Sequence, residues 1–236
     1  GWAEYAVSDY RRTLPVPDHM DLIQGGTISS AFLTMHDAIV TNGEFKSGQS
    51  ILIQGGSTGV GIMGMQFGKH LGASLVIGTS TNAERRGRLT EFGADLALDS
   101  SDPGWVDQVL EATDGKGVDL IIDQISGYAA NQNMAATKVH GRIINVGRLG
   151  GEGAEFDFNM HAERSLTYIG TTGRTRSLEE HAEVFRRARA DLWDALDAGK
   201  FKMPIDSTFD ISEASAALER SAANKHFGRI MLTINA

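Results

Sequence analysis

The sequence predicts an α/β protein built on a doubly wound, six-stranded parallel sheet. Three observations carry that expectation. From residue 50 onward, short β-rich runs alternate with helical ones. The β-rich runs are apolar throughout, "LVIGT" and "VDLII", as when both faces of a parallel sheet are covered. Glycine supplies 28 of 236 residues, well above the usual ~7%. No G-X-Y period accompanies it, so the excess belongs to turns and close backbone approaches.

In chain order the expected strands are 51–54, 75–79, 96–98, 118–123, 142–146 and 166–170. Helical stretches fall between them at 59–71, 83–92, 105–113 and 128–139. Right-handed crossovers leave few ways to order such a sheet. Asn82 caps the second of these helices and Gly93 ends it in a left-handed cap. Pro103 suits a first helical turn, and the aspartates of "DSSD" cap the helix that follows. "SLEE" at Ser177–Glu180 is a capping box opening a long helix to Gly199. The flanks, 1–29 and 200–236, read as irregular strand-and-turn segments with a last strand at 229–234. The run 166–170 is then the exposed edge of the sheet. Pairing across a two-fold axis there would give a closed homodimer.

Composition narrows the function. The chain has no cysteine, which removes disulfides, thiolate zinc sites and a cysteine nucleophile together. A net charge of −8 without a basic run speaks against nucleic acid or an anionic membrane as partner. No apolar run approaches the ~20 residues of a membrane helix, and "GWAEYAVSDYRR" is not a signal peptide. The expectation is a soluble, cytoplasmic protein.

The most informative stretch is "SILIQGGSTGVGIMG". Gly56, Ser57, Thr58, Gly59, Val60 and Gly61 stand where a strand–turn–helix frame places the G-x-G-x-x-G dinucleotide fingerprint. Gly56 makes the tight turn and Gly61 lets the helix approach the strand. Thr58 replaces the middle glycine. The N–H groups of Thr58, Gly59 and Val60 are expected to face a pyrophosphate.

About twenty residues on, NAD-selecting enzymes carry an acidic residue for the ribose hydroxyl. Here that position is Ser80, amid Thr79, Thr81, Asn82, Arg85 and Arg86. Such a setting suits a 2′-phosphate. Arg85 is the expected partner, while Arg86 serves equally well as a solvated cation.

With "GGSTGVG", "EFGADLALDSSD", "GKGVDLIIDQISG", "GRIINVGRLGG", "TGRTRSLEEHAEV" and "NKHFGRIMLTI" in order, the whole chain resembles the zinc-independent quinone oxidoreductases of the medium-chain dehydrogenase/reductase superfamily. The resemblance implies an NADPH-binding Rossmann domain over 30–199. Remnants of a GroES-like substrate domain would lie at 1–29 and 200–236, after leading strands that family members place ahead of "GWAEYAVSDY". It implies hydride delivery from NADPH to a quinone or an α,β-unsaturated carbonyl, and a homodimer through the last Rossmann strand. Residue by residue, Gly56 to Gly61 match the pyrophosphate loop, and Ser80, Thr81 and Arg85 the 2′-phosphate pocket. Thr34 matches a position beside the nicotinamide. Gln124, Ile125, Asn145, Val146, Gly147, Gly170, Thr171 and Thr172 match strand ends lining the groove. Zinc-dependent relatives carry a cysteine ligand where Ser30 stands, so no metal is expected.

The sequence identifies no proton donor. His36 either borders the cleft or packs a helix; Tyr5 either donates to substrate or lies on a sheet face; Arg174 and Arg176 meet a phosphate, an acidic partner, solvent or a dimer edge. An alternative to the reductase is an NADPH-binding module or truncated fragment with little or no turnover. A methyltransferase would need an acid where Ser80 stands, and a hydrolase would need a nucleophile elbow that "GGSTG" lacks.

Overall fold

A computed structural model describes residues 3–234 of the chain. They form two compact units: Thr34–Thr172, and the residues through Leu33 together with those from Gly173 onward. After a 3-10 turn at Tyr10–Arg12 comes α1 (Leu22–His36), which runs into a π-helical turn at Asp37–Asn42. Then follow β1 (Ser50–Gln54), α2 (Gly59–His70), β2 (Leu75–Thr79), α3 (Ala83–Gly87) and β3 (Leu96–Leu98). Next come α4 (Trp105–Glu111), β4 (Val118–Asp123), α5 (Ala130–Ala136), β5 (Thr137–Asn145), α6 (Phe158–Glu163) and β6 (Thr167–Gly170). The remaining elements are α7 (Leu178–Asp197), β7 (Ile205–Asp210), α8 (Ala214–Ala222) and β8 (Arg229–Thr233).

The first-described unit holds a six-stranded sheet in the order β3-β2-β1-β4-β5-β6, with every pair parallel. It is the doubly wound Rossmann architecture. All five residues of β1 are buried, because alternate side chains enter opposite covered faces. On one face Leu52, Ile77, Ile121 and Ile143 pack with Trp105 and Val109 of α4 and Met134 of α5. On the other, α2 lies so close that a Cβ on Gly68 would stand 3.0 Å from Ile51 and 3.1 Å from Val76. Strand order reverses between β1 and β4, whose ends at Gln54 and Asp123 are register partners. Ligands of open α/β sheets bind outside the carboxyl ends at that reversal.

In the second unit, α7 is amphipathic, burying Ala188, Leu192 and Leu196. Ser177 and Glu180 close the capping box at its start. The strands β7 and β8 form a parallel pair, and Phe32 meets Phe201 edge to face at 6.2 Å. Among the described residues no helix is long and apolar enough to cross a membrane.

Several local expectations change. Helix 83–92 divides at Gly87, and a 3-10 turn at Leu89–Phe92 carries the chain to the left-handed Gly93, φ 96°. The helix expected at 128–139 ends at Ala136. The β-branched Thr137 and Val139 continue instead as β5, which begins at Thr137, ahead of the apolar core expected at 142–146. Pro103 precedes α4, whose N-cap is Gly104. Asp102 accepts from Gly104 N–H at 2.9 Å, whereas Asp99 turns to Ser101 and Arg86 rather than to the helix. The flanks contain two helices that the irregular reading omits. One is α1, opened by Asp21 accepting from Gln24 N–H at 2.7 Å; the other is α8. By contact, α7 groups with the flanks, so the compact unit ends at Thr172 while the expected domain runs to 199.

Candidate functional site

The glycine turn leaves β1 at the point where strand order reverses. Gly55, not Gly56, adopts the positive φ of 75° that the tight turn needs. Gly56 serves close approach instead: its N–H donates to the Thr79 carbonyl at 2.8 Å, and a Cβ there would stand 3.2 Å from Thr79 N. A Cβ on Gly61 would lie 2.4 Å from the Gly55 carbonyl oxygen. Only glycine lets α2 begin so near the turn.

Thr58 is the N-cap of α2, accepting from Gly61 N–H at 2.9 Å. Its own N–H donates to Gly55 at 3.0 Å and is therefore committed inside the turn, contrary to the sequence expectation. Gly59 and Val60 open the helix, where an N–H has no carbonyl one turn back. Both are half-buried, as are Ser57 and Thr58. Their donors and the helix dipole form an anion-binding end.

Gln124 ties the turn to β4. Its Oε1 accepts from Thr58 Oγ1 at 2.7 Å, and its Nε2 donates to the Gln54 carbonyl at 3.1 Å. Thr79 is fully buried and turned inward, donating to Gln54 Oε1 at 2.6 Å and accepting from Gly55 N–H at 3.0 Å. It is thus a strut and not a ligand donor. Ser80 comes next, its hydroxyl 3.0 Å from that of Ser57. Thr81 is exposed, and Asn82 caps α3 by accepting from Arg85 N–H at 2.9 Å. Arg85 is half-buried on that helix.

A second set of bonds joins the ends of β4 and β5. Asp123 is fully buried, and its Oδ1 accepts from Ile125 and Ser126 N–H, both at 2.9 Å. Burial pushes its pKa up, outweighing the two N–H bonds that pull it down. Tyr168, across the sheet, is raised to about 12 by its own burial and then by the Asp123 carboxylate. Ser126, at φ 55°, donates to the Gly147 carbonyl at 2.7 Å and accepts from Asn145 Nδ2. Val146 and Gly147 N–H both reach the Asp123 carbonyl, at 2.8 and 3.2 Å. Thr171 N–H closes the row on the Asn145 carbonyl at 2.9 Å.

The hydrogen bonds therefore link Gly56, Thr58, Gly61, Ser57, Ser80, Gln124, Ile125, Val146, Gly147 and Thr171 to the carboxyl ends of the strands and the turns that follow them. Gly170 sits beside Asn145 by strand register, and Thr172 follows it, exposed. None of these bonds reaches Thr34, half-buried near the end of α1. His36 is fully buried on the same helix. Tyr5 is 90% exposed, and Arg174 and Arg176 lie in the other compact unit. Sequence reasoning passed over Asp123 and Ser126 as functional positions. An acid closing the apolar run "VDLIID" was the available signal, since a carboxylate is almost never fully buried unless it is paired.

A family model described as zinc-binding dehydrogenase matches residues 59–189, more than half of the chain. The chain belongs to the zinc-binding dehydrogenase family. A quinone oxidoreductase of Pongo abelii is 26% identical over 93% of this chain and 64% of its own length. The chain thus spans less than two thirds of the length of such curated relatives. Among solved structures, an NAD-dependent alcohol dehydrogenase superposes with TM-score 0.86 at 24% identity, covering 99% of this chain and 65% of its own. A mycobacterial protein complexed with NADPH superposes with TM-score 0.80 at 24% identity, over 92% of this chain and 66% of its own. At such identities the two structures establish the fold. The family's description names zinc; among the described residues, no group of three or more histidine, aspartate or glutamate side chains is arranged to hold a metal ion.

Proposed function

We propose that this oxidoreductase uses NADPH, without a metal, to reduce a quinone or an α,β-unsaturated carbonyl compound. One observation carries the reading. The glycine turn opens at the sheet's reversal point, and the strand beside it ends in Ser80 with Arg85 on the next helix, where an NAD-selecting site would present an acid. The residues present fit a dinucleotide: the turn has no room for a Cβ at Gly61, and two helix-opening N–H groups stand free of intrahelical partners.

Gly59 and Val60 would hold the pyrophosphate, with Gly56 to Gly61 shaping the loop. Ser80, Thr81 and Arg85 would hold the 2′-phosphate. Gln124, Ile125, Val146, Gly147, Gly170, Thr171 and Thr172, with Thr34, would line the nicotinamide side. When bound, the coenzyme supplies the hydride. The chain's own contribution is orientation: Gln124 fixes the turn, while Asp123 and Ser126 fix the loops after β4 and β5. Ser30, in place of the zinc-ligating cysteine of metal-dependent relatives, supports the metal-free reading. The terminal flanks, 1–29 and 200–236, would belong to the substrate domain, in a cytoplasmic homodimer paired along β6, an outer strand of the sheet.

A charge-assisted contact contributes about 1.5–3 kcal/mol. Arg85→Ala is accordingly expected to weaken NADPH roughly ten- to a hundredfold and leave NADH nearly unchanged, as read by calorimetric titration. Mixing the protein with NADPH and a small benzoquinone or naphthoquinone tests turnover through loss of the reduced nicotinamide's absorbance. Tight NADPH binding with no oxidation by either quinone would favour a binding module instead.

A further inference from the structure

The second arginine of α3 has a partner that the sequence reading did not give it. Arg86 Nη1 donates to the Ser80 carbonyl and to Asp99 Oδ2, both at 2.9 Å. The guanidinium is thereby held against the backbone end of β2, where coenzyme preference is decided in this fold. Its Nε and Nη2 make no hydrogen bond among the described residues. Asp99 follows β3, whose Leu98 carbonyl accepts from Ser80 N–H at 3.0 Å, so the pair stands directly behind Ser80. Its other oxygen accepts from Ser101 N–H at 2.9 Å and Ser101 Oγ at 2.5 Å. Those bonds, first the hydroxyl and then the N–H, hold its pKa below the ordinary carboxylate range, with Arg86 adding to them. The carboxylate is therefore charged at neutral pH. The ion pair is partly solvated, with side-chain exposures of 24% and 30%.

We propose that Asp99 sets the strength of discrimination between phosphorylated and unphosphorylated coenzyme by cancelling the charge of Arg86. The proposal rests on the NADPH reading above. While Asp99 is ionised, the Arg86 guanidinium at the end of β2 presents little net charge toward a 2′-phosphate. Removing the carboxylate leaves Arg86 anchored by the Ser80 carbonyl and releases a full positive charge beside the site. Asparagine retains an oxygen for the Ser101 donors, so the loop after β3 keeps its bonds.

The test is calorimetric titration of four proteins with NADPH and with NADH: wild type, Asp99→Asn, Arg86→Met, and the double variant. Asp99→Asn is expected to tighten NADPH about three- to tenfold with less than a twofold change for NADH, the gain shrinking in high salt. Arg86→Met is expected to weaken NADPH about threefold or more, by leaving Asp99 uncompensated. The double variant, which again has no net charge there, is expected near wild type. An unchanged NADPH-to-NADH ratio in Asp99→Asn would overturn the proposal. So would an equal loss for both coenzymes, which would mark a purely structural residue. A double variant as weak as Arg86→Met would show that Arg86 itself grips the phosphate and overturn the charge-cancelling role. Thermal midpoints report folding; should Asp99→Asn not fold, Arg86→Met and the double variant still decide. A wild type that binds neither coenzyme contradicts the NADPH reading itself. A wild type that prefers NADH while Asp99→Asn still shifts the ratio contradicts that reading and leaves this one standing.

Discussion

Gly61→Val is expected to destabilise the protein by about 3 kcal/mol, the upper end for overpacking, and to weaken NADPH by at least about tenfold. The clash is with backbone: the new Cβ would meet the Gly55 carbonyl oxygen at 2.4 Å and Gly56 Cα at 2.8 Å. No rotamer relieves a contact at Cβ, so α2 must withdraw from the turn and carry the Gly59 and Val60 donors with it. Gly61 has no positive φ, so the effect is one of space and not of backbone conformation. Gly87→Ala is the matched control. A Cβ there meets nothing within 4 Å, and alanine in a helix is expected to be neutral or stabilising by up to about 1 kcal/mol. Denaturant unfolding of both variants, with NADPH titration of those that fold, checks the pair.

Asp123→Ala is expected to lose about 2–4 kcal/mol, while Asp123→Asn stays within about 1 kcal/mol of wild type. One oxygen of Asp123 accepts both Ile125 and Ser126 N–H. Alanine leaves those two donors without it, at about 1–3 kcal/mol for each that stays buried; asparagine keeps the accepting oxygen. The pH dependence separates the two residues further. Burial raises the folded-state pKa of Asp123 above its unfolded value. Its contribution to stability is therefore fully present below the ordinary carboxylate range and declines as pH rises through the raised value. Asp123→Asn removes that decline, so wild type should gain on the asparagine variant as the pH falls. Equal stabilities of the alanine and asparagine variants in urea would contradict the loop-organising role.

Much of the sheet could be read in the sequence because buried parallel strands are written as apolar blocks. Residues 75–79, 96–98 and 118–123 are strands with the expected limits. Where apolar content is ambiguous, tertiary pairing decided: "TKVH" reads as the tail of a helix, yet Thr137 pairs with Val118 and starts β5. The glycine pair in "LIQGGTISS" hides α1, because in isolation glycine disfavours a helix. Here the missing side chains make room for neighbours; a Cβ on Gly25 would stand 2.7 Å from Val16.

The site divides in the same way. The glycine turn is local and was legible, although which glycine bears the positive φ was not. Thr79 adjoins Ser80 in the sequence, but residues alternate across a strand: Thr79 turns inward to Gln54 while Ser80 meets Ser57. The bonds of Ser126 to Asn145 and Gly147 and the Arg86–Asp99 pair join residues 13 to 21 positions apart in sequence through neighbouring strand ends. Such pairings exist only once strand order is known.

The proposed function depends on a backbone slot that would accept a dinucleotide bearing a 2′-phosphate. The most direct measurement is calorimetric titration of the unmodified chain with NADPH and with NADH under identical salt. Saturable one-site binding is expected, with NADPH tighter by about tenfold or more, as one charge-assisted contact implies. Equal affinities, a preference for NADH, or heat from neither coenzyme would contradict it.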